Sequence, residues 1–356
     1  MRRALVLAER AMFTTTPNPR VGCVIVQDGR VIGEGFTQPA GQDHAEVQAM
    51  KDARTRGESL RGATAYVTLE PCSHYGRTPP CAKGLIEAGV KRVIAAMEDP
   101  NPLVAGRGLT MLRDAGIEVR CGLLEQEARE MNIGFVARMV RGTPWVRLKV
   151  AASLDGKTAL NNGASQWLTG PAARADGHAW RARACAILTG IGTVREDDPA
   201  LTVREVETTR QPLRIVVDSR LEISPTAKVL ANGNALVVCA NGAPDRVSRL
   251  HDLGVEVLDL PNPNGKVELS ALLRTLGERQ LNEIHVEAGY KLNGSLLREH
   301  CVDELLTYLA PCIVGDAQGM FNLPALTSLD DKLTLTFTDV RMIENDLRVM
   351  ARFRCD

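Results

Sequence analysis

One histidine and two cysteines near the start of the chain have the types and spacing of a catalytic zinc site. His44 begins a short His-Ala-Glu-Val segment, Cys72 follows in Glu-Pro-Cys, and Cys81 follows in Pro-Pro-Cys. One imidazole and two thiolates are a soft ligand set that suits zinc and leaves the fourth tetrahedral position for water. The sequence therefore predicts one zinc ion per chain, bound by these three side chains.

Glu46 has the spacing of a proton-transfer group. Residues two apart on a helix do not share a face, so His44 and Glu46 cannot easily bind the same ion. Glu46 is better placed to take a proton from the zinc-bound water, to protonate a ring nitrogen and then to protonate the departing amine. Zinc nucleobase deaminases carry His-x-Glu followed by Pro-Cys-x-x-Cys. In this chain residues 73–80 separate the cysteines, so the pattern is stretched.

Each of these residues also has a structural interpretation. Asp43 and Glu46 have the spacing of a helix capping box, and unpaired cysteines usually pack as small apolar side chains. The combination favours the metal site, because His-x-Glu falls at a predicted helix start, Cys72 follows a predicted strand and Cys81 begins another predicted helix. Hydrolytic deamination is the chemistry that this combination predicts.

Two other functions remain open alternatives. A zinc deaminase acting on nucleic acid would need a basic channel with aromatic platforms for bases. Lys+Arg and Asp+Glu both number 43 and aromatic residues make up 4% of the chain, so we expect no nucleic-acid partner. A non-catalytic module stabilised by zinc would need a fourth protein ligand.

The elements that must position these residues alternate between strand and helix over residues 1–142. Asp28-Gly29 between two apolar runs predicts a β-hairpin. Helical patterns start at Ala45, near Pro80 and at residue 126, the last running to about Arg141. Such alternation predicts a three-layer α/β sandwich. Gly142-Thr143-Pro144 interrupts it, so we expect a first domain at 1–142 and a second at 143–356.

The second half again alternates strand and helix but ends in three strands, at about 305–309, 333–340 and 347–353, which predicts a mixed sheet with antiparallel edge strands. Two strand-turn-helix segments contain glycine. The turn at 190–195 resembles a dinucleotide fingerprint, but Arg195 stands where the third glycine belongs. This turn and the one at 289–295 are either ordinary connections or phosphate cradles of backbone N–H groups.

Composition limits the compartment and the partners. The chain has 356 residues, enough for about two domains, and its 44% hydrophobic and 24% charged residues are typical of a globular protein. Its nine scattered cysteines suit a reducing compartment, so we expect the cytoplasm. The first apolar run ends at Glu9, too early for a signal peptide, and no apolar run reaches transmembrane length. We therefore expect no membrane partner.

The motifs resemble one family along essentially the whole chain. In the first half they are 15–26 (TTPNPRVGCVIV), 44–47 (HAEV), 68–81 (TLEPCSHYGRTPPC), 99–102 (DPNP) and 104–108 (VAGRG). In the second half they are 149–157 (KVAASLDGK), 165–169 (SQWLT), 197–202 (DDPALT) and 286–289 (VEAG). They resemble the bifunctional bacterial riboflavin-biosynthesis deaminase/reductases, in which the stretched cysteine spacing is characteristic.

The resemblance implies two consecutive reactions. The first domain, similar to cytidine deaminases in fold, would deaminate 2,5-diamino-6-(5-phosphoribosylamino)pyrimidin-4(3H)-one to 5-amino-6-(5-phosphoribosylamino)uracil with zinc-activated water. The second, similar to dihydrofolate reductase in fold, would use NADPH to reduce the ribosyl group to a ribityl chain. A homo-oligomer, dimer or tetramer, is also expected.

The resemblance also implies the residues of both sites. For the deaminase these are the zinc ligands His44, Cys72 and Cys81, the acid and base Glu46, and the substrate-binding residues Asn18, His74, Arg77 and Asn101. Lys149 and Asp197 would lie near the reacting sugar carbon of the reductase. Its substrate would also contact Ser165, Arg181, Asp197, Leu201, Arg204 and Glu287. NADPH would contact Ala151, Trp167, Thr193, Ser219, Gly289, Tyr290, Lys291, Leu292, Asn293, Gly294 and Ser295.

Overall fold

The structure is a computed structural model that describes residues 1–74, 79–102 and 104–353. The chain forms two compact units, Met1–Gly142 and Thr143–Asp356. Each unit buries apolar side chains in a core of its own. The first unit ends where Gly142 adopts a left-handed conformation, φ 77°, at the end of a helix, which is the usual position of a C-terminal glycine cap.

The first unit contains one sheet and six helices among its described residues. Its elements are α1 Arg2–Glu9, β1 Gly22–Gln27, β2 Arg30–Phe36, α2 Ala45–Thr55, β3 Thr64–Val67, α3 Cys81–Glu87, β4 Arg92–Ala95, α4 Arg107–Asp114, β5 Glu118–Cys121, α5 Glu125–Met131 and α6 Ile133–Arg141. The strand order is β2-β1-β3-β4-β5. Strand β1 is antiparallel to both neighbours, whereas β3, β4 and β5 are parallel.

Glycines on opposite faces of this sheet let helices approach from both sides. A Cβ atom at Gly22 would lie 1.8 Å from the carbonyl oxygen of Ala4 in α1, and one at Gly35 would lie 2.4 Å from that of Ala45 in α2. Gly35 pairs with Cys23, the neighbour of Gly22, so the two glycines face opposite sides. The sheet therefore lies between α1 and α2, which confirms the predicted three-layer sandwich.

Two local expectations have different outcomes. The hairpin is confirmed: Asp28 and Gly29 have φ values of 50° and 77° between β1 and β2, as a type I′ turn requires. The single helix expected over 126–141 is wrong, because Asn132 separates α5 from α6. Its side chain accepts a hydrogen bond from the Arg20 N–H (2.7 Å) and donates one to the Arg20 carbonyl (2.9 Å), a tertiary contact that helical periodicity does not reveal.

The second unit contains a larger sheet. Its elements are β6 Trp145–Ser153, β7 Lys157–Ala159, α7 Pro171–Arg183, β8 Ala186–Gly190, α8 Ile191–Asp197, β9 Leu213–Val217, β10 Ala235–Cys239, α9 Pro244–Asp252, β11 Glu256–Asp259, α10 Leu269–Glu278, β12 Glu283–Val286, α11 Tyr290–Arg298, β13 Glu304–Ala310, β14 Gln318–Gly319, β15 Leu335–Ile343 and β16 Asp346–Phe353, with short 3-10 helices at Lys228–Leu230 and Leu329–Asp331.

The sheet order of the second unit is β11-β10-β9-β8-β12-β6-β13-β16-β15, and β7 pairs separately with β14. The strands from β11 to β13 are parallel, and β16 and β15 are antiparallel at one edge. This confirms the predicted mixed sheet with antiparallel edge strands. Parallel strands end at the same edge of a sheet, so the turns after β8, β9 and β12 lie together there.

Among the residues that the structure describes, no helix has both the length and the apolar character needed to cross a lipid bilayer.

Two candidate active sites

The three predicted metal ligands come together in the first unit. His44 immediately precedes α2, Cys72 follows β3, and Cys81 is the first residue of α3. Nδ1 of His44 lies 3.6 Å from Sγ of Cys72 and 3.4 Å from Sγ of Cys81. Zinc bonds of about 2.05 Å to nitrogen and about 2.3 Å to sulfur give a tetrahedral N–S edge of roughly 3.6 Å. The two distances from Nδ1 of His44 therefore match those of a zinc tetrahedron.

The electrostatic environment favours a thiolate at Cys72. The hydrogen bond from the Cys81 thiol, together with that from His44, lowers the pKa of Cys72 against the opposing effect of burial. The backbone N–H of Cys81 also donates to Sγ of Cys72 over 3.3 Å. This N–H lies at the beginning of α3, where helix geometry leaves it without an intrahelical acceptor. A thiolate is the form of cysteine that binds a metal.

Glu46 is the second residue of α2 and is buried beside these ligands, with 4% of its surface exposed. Burial, followed by the negative charge of Cys72, raises the pKa of Glu46 to about 7, although a backbone hydrogen bond, the charge of His44 and a hydrogen bond from the Cys81 thiol oppose the shift. A carboxyl group with such a pKa can both accept and release a proton near neutral pH.

A cavity of about 250 Å³ adjoins the ligands. Its walls include three of the predicted substrate-binding residues, Asn18, His74 and Asn101, together with Glu46. The fourth predicted residue, Arg77, lies outside the described residues. Glu70, Asp99 and Phe135 also line the cavity, and sequence reasoning gave them no function. Glu70 belongs to the 68–81 motif, but the residues that it contacts lie in a distant segment of the chain, so the motif alone does not reveal its function.

A second cavity, of about 590 Å³, lies in the second unit. Predicted residues in its lining are Lys149, Trp167, Arg181, Arg204 and Glu287. Glu287 accepts two hydrogen bonds from the Arg181 guanidinium, the one from Nη2 measuring 2.9 Å, and its Oε2 lies 3.9 Å from Nζ of Lys149. Burial acts to raise the pKa of Glu287, but the charge of Arg181 and its hydrogen bonds, together with Lys149, lower it well below the usual value.

Residues without a predicted function also line this cavity or contact its lining. His285 is fully buried with Nε2 3.4 Å from Oε1 of Glu287. The guanidinium of Arg174 lies 4.7 Å from the ring centroid of Trp167. Tyr308 lines the cavity and donates a 2.5 Å hydrogen bond to Asp176. Strand alternation, which places His285 on the same face as Glu287, was the available sequence signal for His285.

The predicted cofactor residues gather at the carboxyl edge of the parallel strands. Gly190 and Gly289 are the N-cap residues of the helices after β8 and β12, and a Cβ atom at Gly289 would lie 3.5 Å from Oγ1 of Thr193. Ser219 follows β9, and Ala151 lies in β6. Two neighbouring helix N-termini beside a sheet edge fit a dinucleotide phosphate, because their N–H groups lack intrahelical acceptors.

The structure turns some predicted residues away from either ligand. The side chain of Leu201 is 3% exposed and packs in the apolar core, so only its backbone remains for a substrate. Asn293 is buried and donates to the carbonyl of Met320 over 3.2 Å. A Cβ atom at Gly294 would lie 2.2 Å from the carbonyl oxygen of Asn322.

The other predicted residues lie at helix ends or in a loop. Within 289–295, Leu292 packs against Gly190 and Ser295 accepts a hydrogen bond from Arg298, which leaves Gly289, Tyr290 and Lys291 at the start of α11. Asp197 is exposed at the end of α8, outside the lining that contains Lys149. It accepts a 3.3 Å hydrogen bond from Gln166, which stands between Ser165 and Trp167.

Comparison with known proteins identifies relatives of both units. Residues 1–97 match the model of the cytidine and deoxycytidylate deaminase zinc-binding region, and residues 144–349 match that of the RibD C-terminal domain. The riboflavin biosynthesis protein RibD of Escherichia coli K12 is 48% identical over 98% of this chain and 96% of that protein. Its namesake from Bacillus amyloliquefaciens is 42% identical over 99% and 95%.

Solved structures resemble the chain over the same extent. Acinetobacter baumannii RibD, form 1, has a TM-score of 0.92 and 44% identity, covering 99% of this chain and 98% of that one. A diaminohydroxyphosphoribosylaminopyrimidine deaminase/5-amino-6-(5-phosphoribosylamino)uracil reductase from Thermotoga maritima has a TM-score of 0.89 and 34% identity, covering 99% and 97%.

Proposed function

This chain belongs to the RibD family of riboflavin biosynthesis, and from that premise we propose which of its residues perform each reaction. It is a bifunctional enzyme, a zinc-dependent deaminase and an NADPH-dependent reductase, that acts on phosphoribosylaminopyrimidines. We assign the deaminase to residues 1–142 and the reductase to residues 143–356. The match of the deaminase zinc-binding region to 1–97 and of the RibD C-terminal domain to 144–349 supports this division.

In the deaminase, His44, Cys72 and Cys81 hold the zinc ion, which when bound supplies an activated water. Glu46 takes a proton from the attacking water and delivers it to a ring nitrogen of the pyrimidine. It then takes the second proton from the hydroxyl newly added to the ring and delivers it to the departing amine, which leaves as ammonia. The single observation that best supports this assignment is the burial of Glu46 beside three ligand atoms that all lie within 4.8 Å of one another.

The cavity beside these ligands takes the substrate. Asn18 and Asn101 offer amide groups that can bind the pyrimidine edge, and both line the cavity. His74 and Arg77 are the donors for the substrate phosphate. His74 lines the same cavity, which supports its part of this assignment.

In the reductase, NADPH when bound supplies the hydride that reduces the ring-opened imine of the ribosylamine. Lys149, beside Glu287 in the larger cavity, and Asp197 are assigned to the reacting sugar. Ser165, Arg181 and Arg204 bind the phosphorylated substrate, and Leu201 contributes its backbone. Because Arg181 is paired with Glu287, it also fixes that carboxylate at the cavity wall.

The NADPH assignment follows the carboxyl edge of the sheet. Ala151, Thr193, Ser219 and the beginning of α11 contact the cofactor, and Trp167 flanks it from the loop before α7. The support is that Gly289 and Thr193 lie next to each other at the starts of two neighbouring helices. Asn293 and Gly294 contribute indirectly, because they pack α11 against the chain around Met320 and Asn322.

The remaining proposals concern the cellular compartment and the partners of the enzyme. We place the enzyme in the cytoplasm as a homo-oligomer with no nucleic-acid or membrane partner. Equal numbers of acidic and basic residues, 43 each, support the absence of nucleic-acid binding. Among the described residues no two cysteines form a disulfide, as in a reducing compartment.

The test is to measure ammonia release and NADPH oxidation side by side on the purified full chain. Diamino substrate should release ammonia without NADPH, and NADPH should be oxidised only once deaminated product is present or has formed. NADH serves as the control cofactor and should be oxidised much more slowly. Release of ammonia without any subsequent NADPH oxidation would contradict the assignment of the second unit.

A further inference from the structure

One buried carboxylate binds four backbone N–H groups of a distant segment. Oε2 of Glu70 accepts hydrogen bonds from the N–H groups of Asp99 (3.0 Å) and Gly106 (2.9 Å). Oε1 accepts them from those of Gly108 (2.7 Å) and Leu109 (3.3 Å). Glu70 is 5% exposed. A buried carboxylate with four donors holds those donors in one arrangement, because hydrogen bonds to a charged acceptor are strong.

The same carboxylate completes the start of helix α4. Gly106 is the N-cap residue of α4 and has no side chain to accept the first N–H groups of the helix. Glu70 accepts from the N–H groups of Gly108 and Leu109 in the first helical turn. It therefore caps α4 from outside, and its negative charge is favourable at a helix N-terminus.

The close approach of the two segments depends on a glycine. A Cβ atom at Gly108 would lie 1.9 Å from the carbonyl oxygen of Pro71 and 3.1 Å from Oε1 of Glu70. Only glycine allows the backbone to come this near. The steric fit at Gly108 shows, independently of the hydrogen bonds, that residues 70–72 pack closely against the 99–109 segment.

The contact lies at the wall of the deaminase cavity. Glu70, Asp99 and Asn101 all line this cavity, and Glu70 stands two residues before the zinc ligand Cys72. Asn101 is fixed to the clamped segment because its N–H donates to Oδ1 of Asp99 over 2.9 Å. A shift of the 99–109 segment would move Asn101 relative to the metal ligands.

We propose that Glu70 is a positioning residue that holds the 99–109 segment so that Asn101 can bind the pyrimidine. This inference rests on the proposed deaminase site and extends it to substrate affinity. Glu70 acts through the segment and not through the metal, because the group of possible metal ligands found among the described residues is His44, Cys72 and Cys81.

The test is a pair of substitutions in the full chain, Glu70→Gln and Glu70→Ala. Glutamine keeps one acceptor oxygen but turns an NH2 group toward two of the N–H donors, and alanine removes every acceptor. Losing hydrogen bonds to a charged group weakens an interaction by about ten-fold or more. We expect KM for deamination to rise about ten-fold in Glu70→Gln and further in Glu70→Ala, with kcat within about three-fold, zinc retained and reductase activity unchanged.

Asp52→Asn is the matched control. Asp52 in α2 also accepts a backbone hydrogen bond, from the Glu34 N–H over 2.8 Å, but it does not line the cavity. The control should lower the melting temperature and leave KM unchanged. Glu70 variants that lose stability in the same way with unchanged KM would overturn the proposal, and so would loss of zinc.

A binding measurement separates this proposal from the proposed deaminase site itself. Calorimetric titration of the diamino substrate into Glu46→Gln protein, with and without Glu70→Gln, reports affinity without turnover. We expect about ten-fold weaker binding in the double variant, and equal binding would overturn the positioning function. Absence of ammonia release by the unsubstituted enzyme would instead defeat the deaminase assignment.

Discussion

At the scale of single residues, the two sites use buried charge in different ways. Glu46 lies beside two cysteines and gains a pKa of about 7 from its burial. The Glu287 side chain is 14% exposed at the wall of the larger cavity, and Arg181 and Lys149 keep it ionised. A carboxyl that titrates near neutral pH suits proton transfer, whereas a permanently charged one suits the fixing of neighbouring cations. The contrast leads to one prediction for each site.

Glu46→Gln should abolish ammonia release and leave zinc bound. The amide keeps the shape of the side chain but cannot transfer a proton, and loss of a general acid and base costs about 10²–10⁴-fold in rate. Ammonia release and zinc content measured on the same preparation check this. Zinc loss would show that Glu46 is a ligand, and Asp52→Asn serves as a carboxylate-to-amide control elsewhere on α2.

Lys149→Met should lower the reductase rate by about 10²-fold or more while ammonia release stays normal. Methionine keeps most of the apolar length but removes the ammonium group, which lies 3.9 Å from Glu287 in the cavity. NADPH oxidation with pre-deaminated substrate is the measurement. A reductase rate near that of the unsubstituted enzyme would remove Lys149 from the reaction.

At the scale of elements, the residues assigned to the deaminase reaction lie at the N-termini of helices. His44 and Glu46 lie at the beginning of α2 and Cys81 begins α3. Helix α2 is seated on β2 by two glycines, Gly33 and Gly35. The position of the zinc ligand therefore depends on the distance between a helix and a strand.

Gly35→Ala should weaken zinc binding because its new Cβ would lie 2.4 Å from the carbonyl oxygen of Ala45, next to His44. Gly33→Ala is the matched control, since its Cβ would meet the same helix 2.3 Å from the carbonyl oxygen of Ala49, one turn further on. Both should cost about 1–3 kcal/mol of stability. Competitive chelator titration should show a larger zinc loss in Gly35→Ala, and equal losses would contradict this local effect.

At the scale of the whole molecule, the chain is two compact units with separate cores. The zinc ligands and their cavity come from the first unit alone, and the larger cavity comes from the second alone. Each unit therefore contains the parts needed to hold its own site.

Cys72→Ser or Cys81→Ser should release zinc and stop deamination while reduction of pre-deaminated substrate continues. Serine is a poor ligand for zinc at a thiolate position, and the reductase residues lie in the other unit. Zinc content, ammonia release and NADPH oxidation are measured on each folded variant. Loss of reductase activity in a folded, zinc-free variant would show that the sites are not independent.

The sequence alone predicted the alternation of strands and helices, the fold class and a candidate set of metal ligands. Local patterns carry that information: the Asp28-Gly29 turn, the periodicity of α2 and the types and spacing of His44, Cys72 and Cys81 all lie in short stretches of chain. The resemblance to known deaminase/reductases added the substrates and NADPH. It also supplied residues such as Lys149 and Thr193, which periodicity could not have selected.

Only the tertiary structure decided contacts between distant stretches. The break at Asn132 depends on the Arg20 backbone, the capping of α4 depends on Glu70, and the ion pair of Glu287 depends on Arg181. The same holds for side chains that turn inward, such as Leu201. Hydrogen bonds and burial between remote segments leave no periodic pattern in the sequence. The fold brings each pair of partners together, and the residues next to them in the sequence do not reveal the pairing.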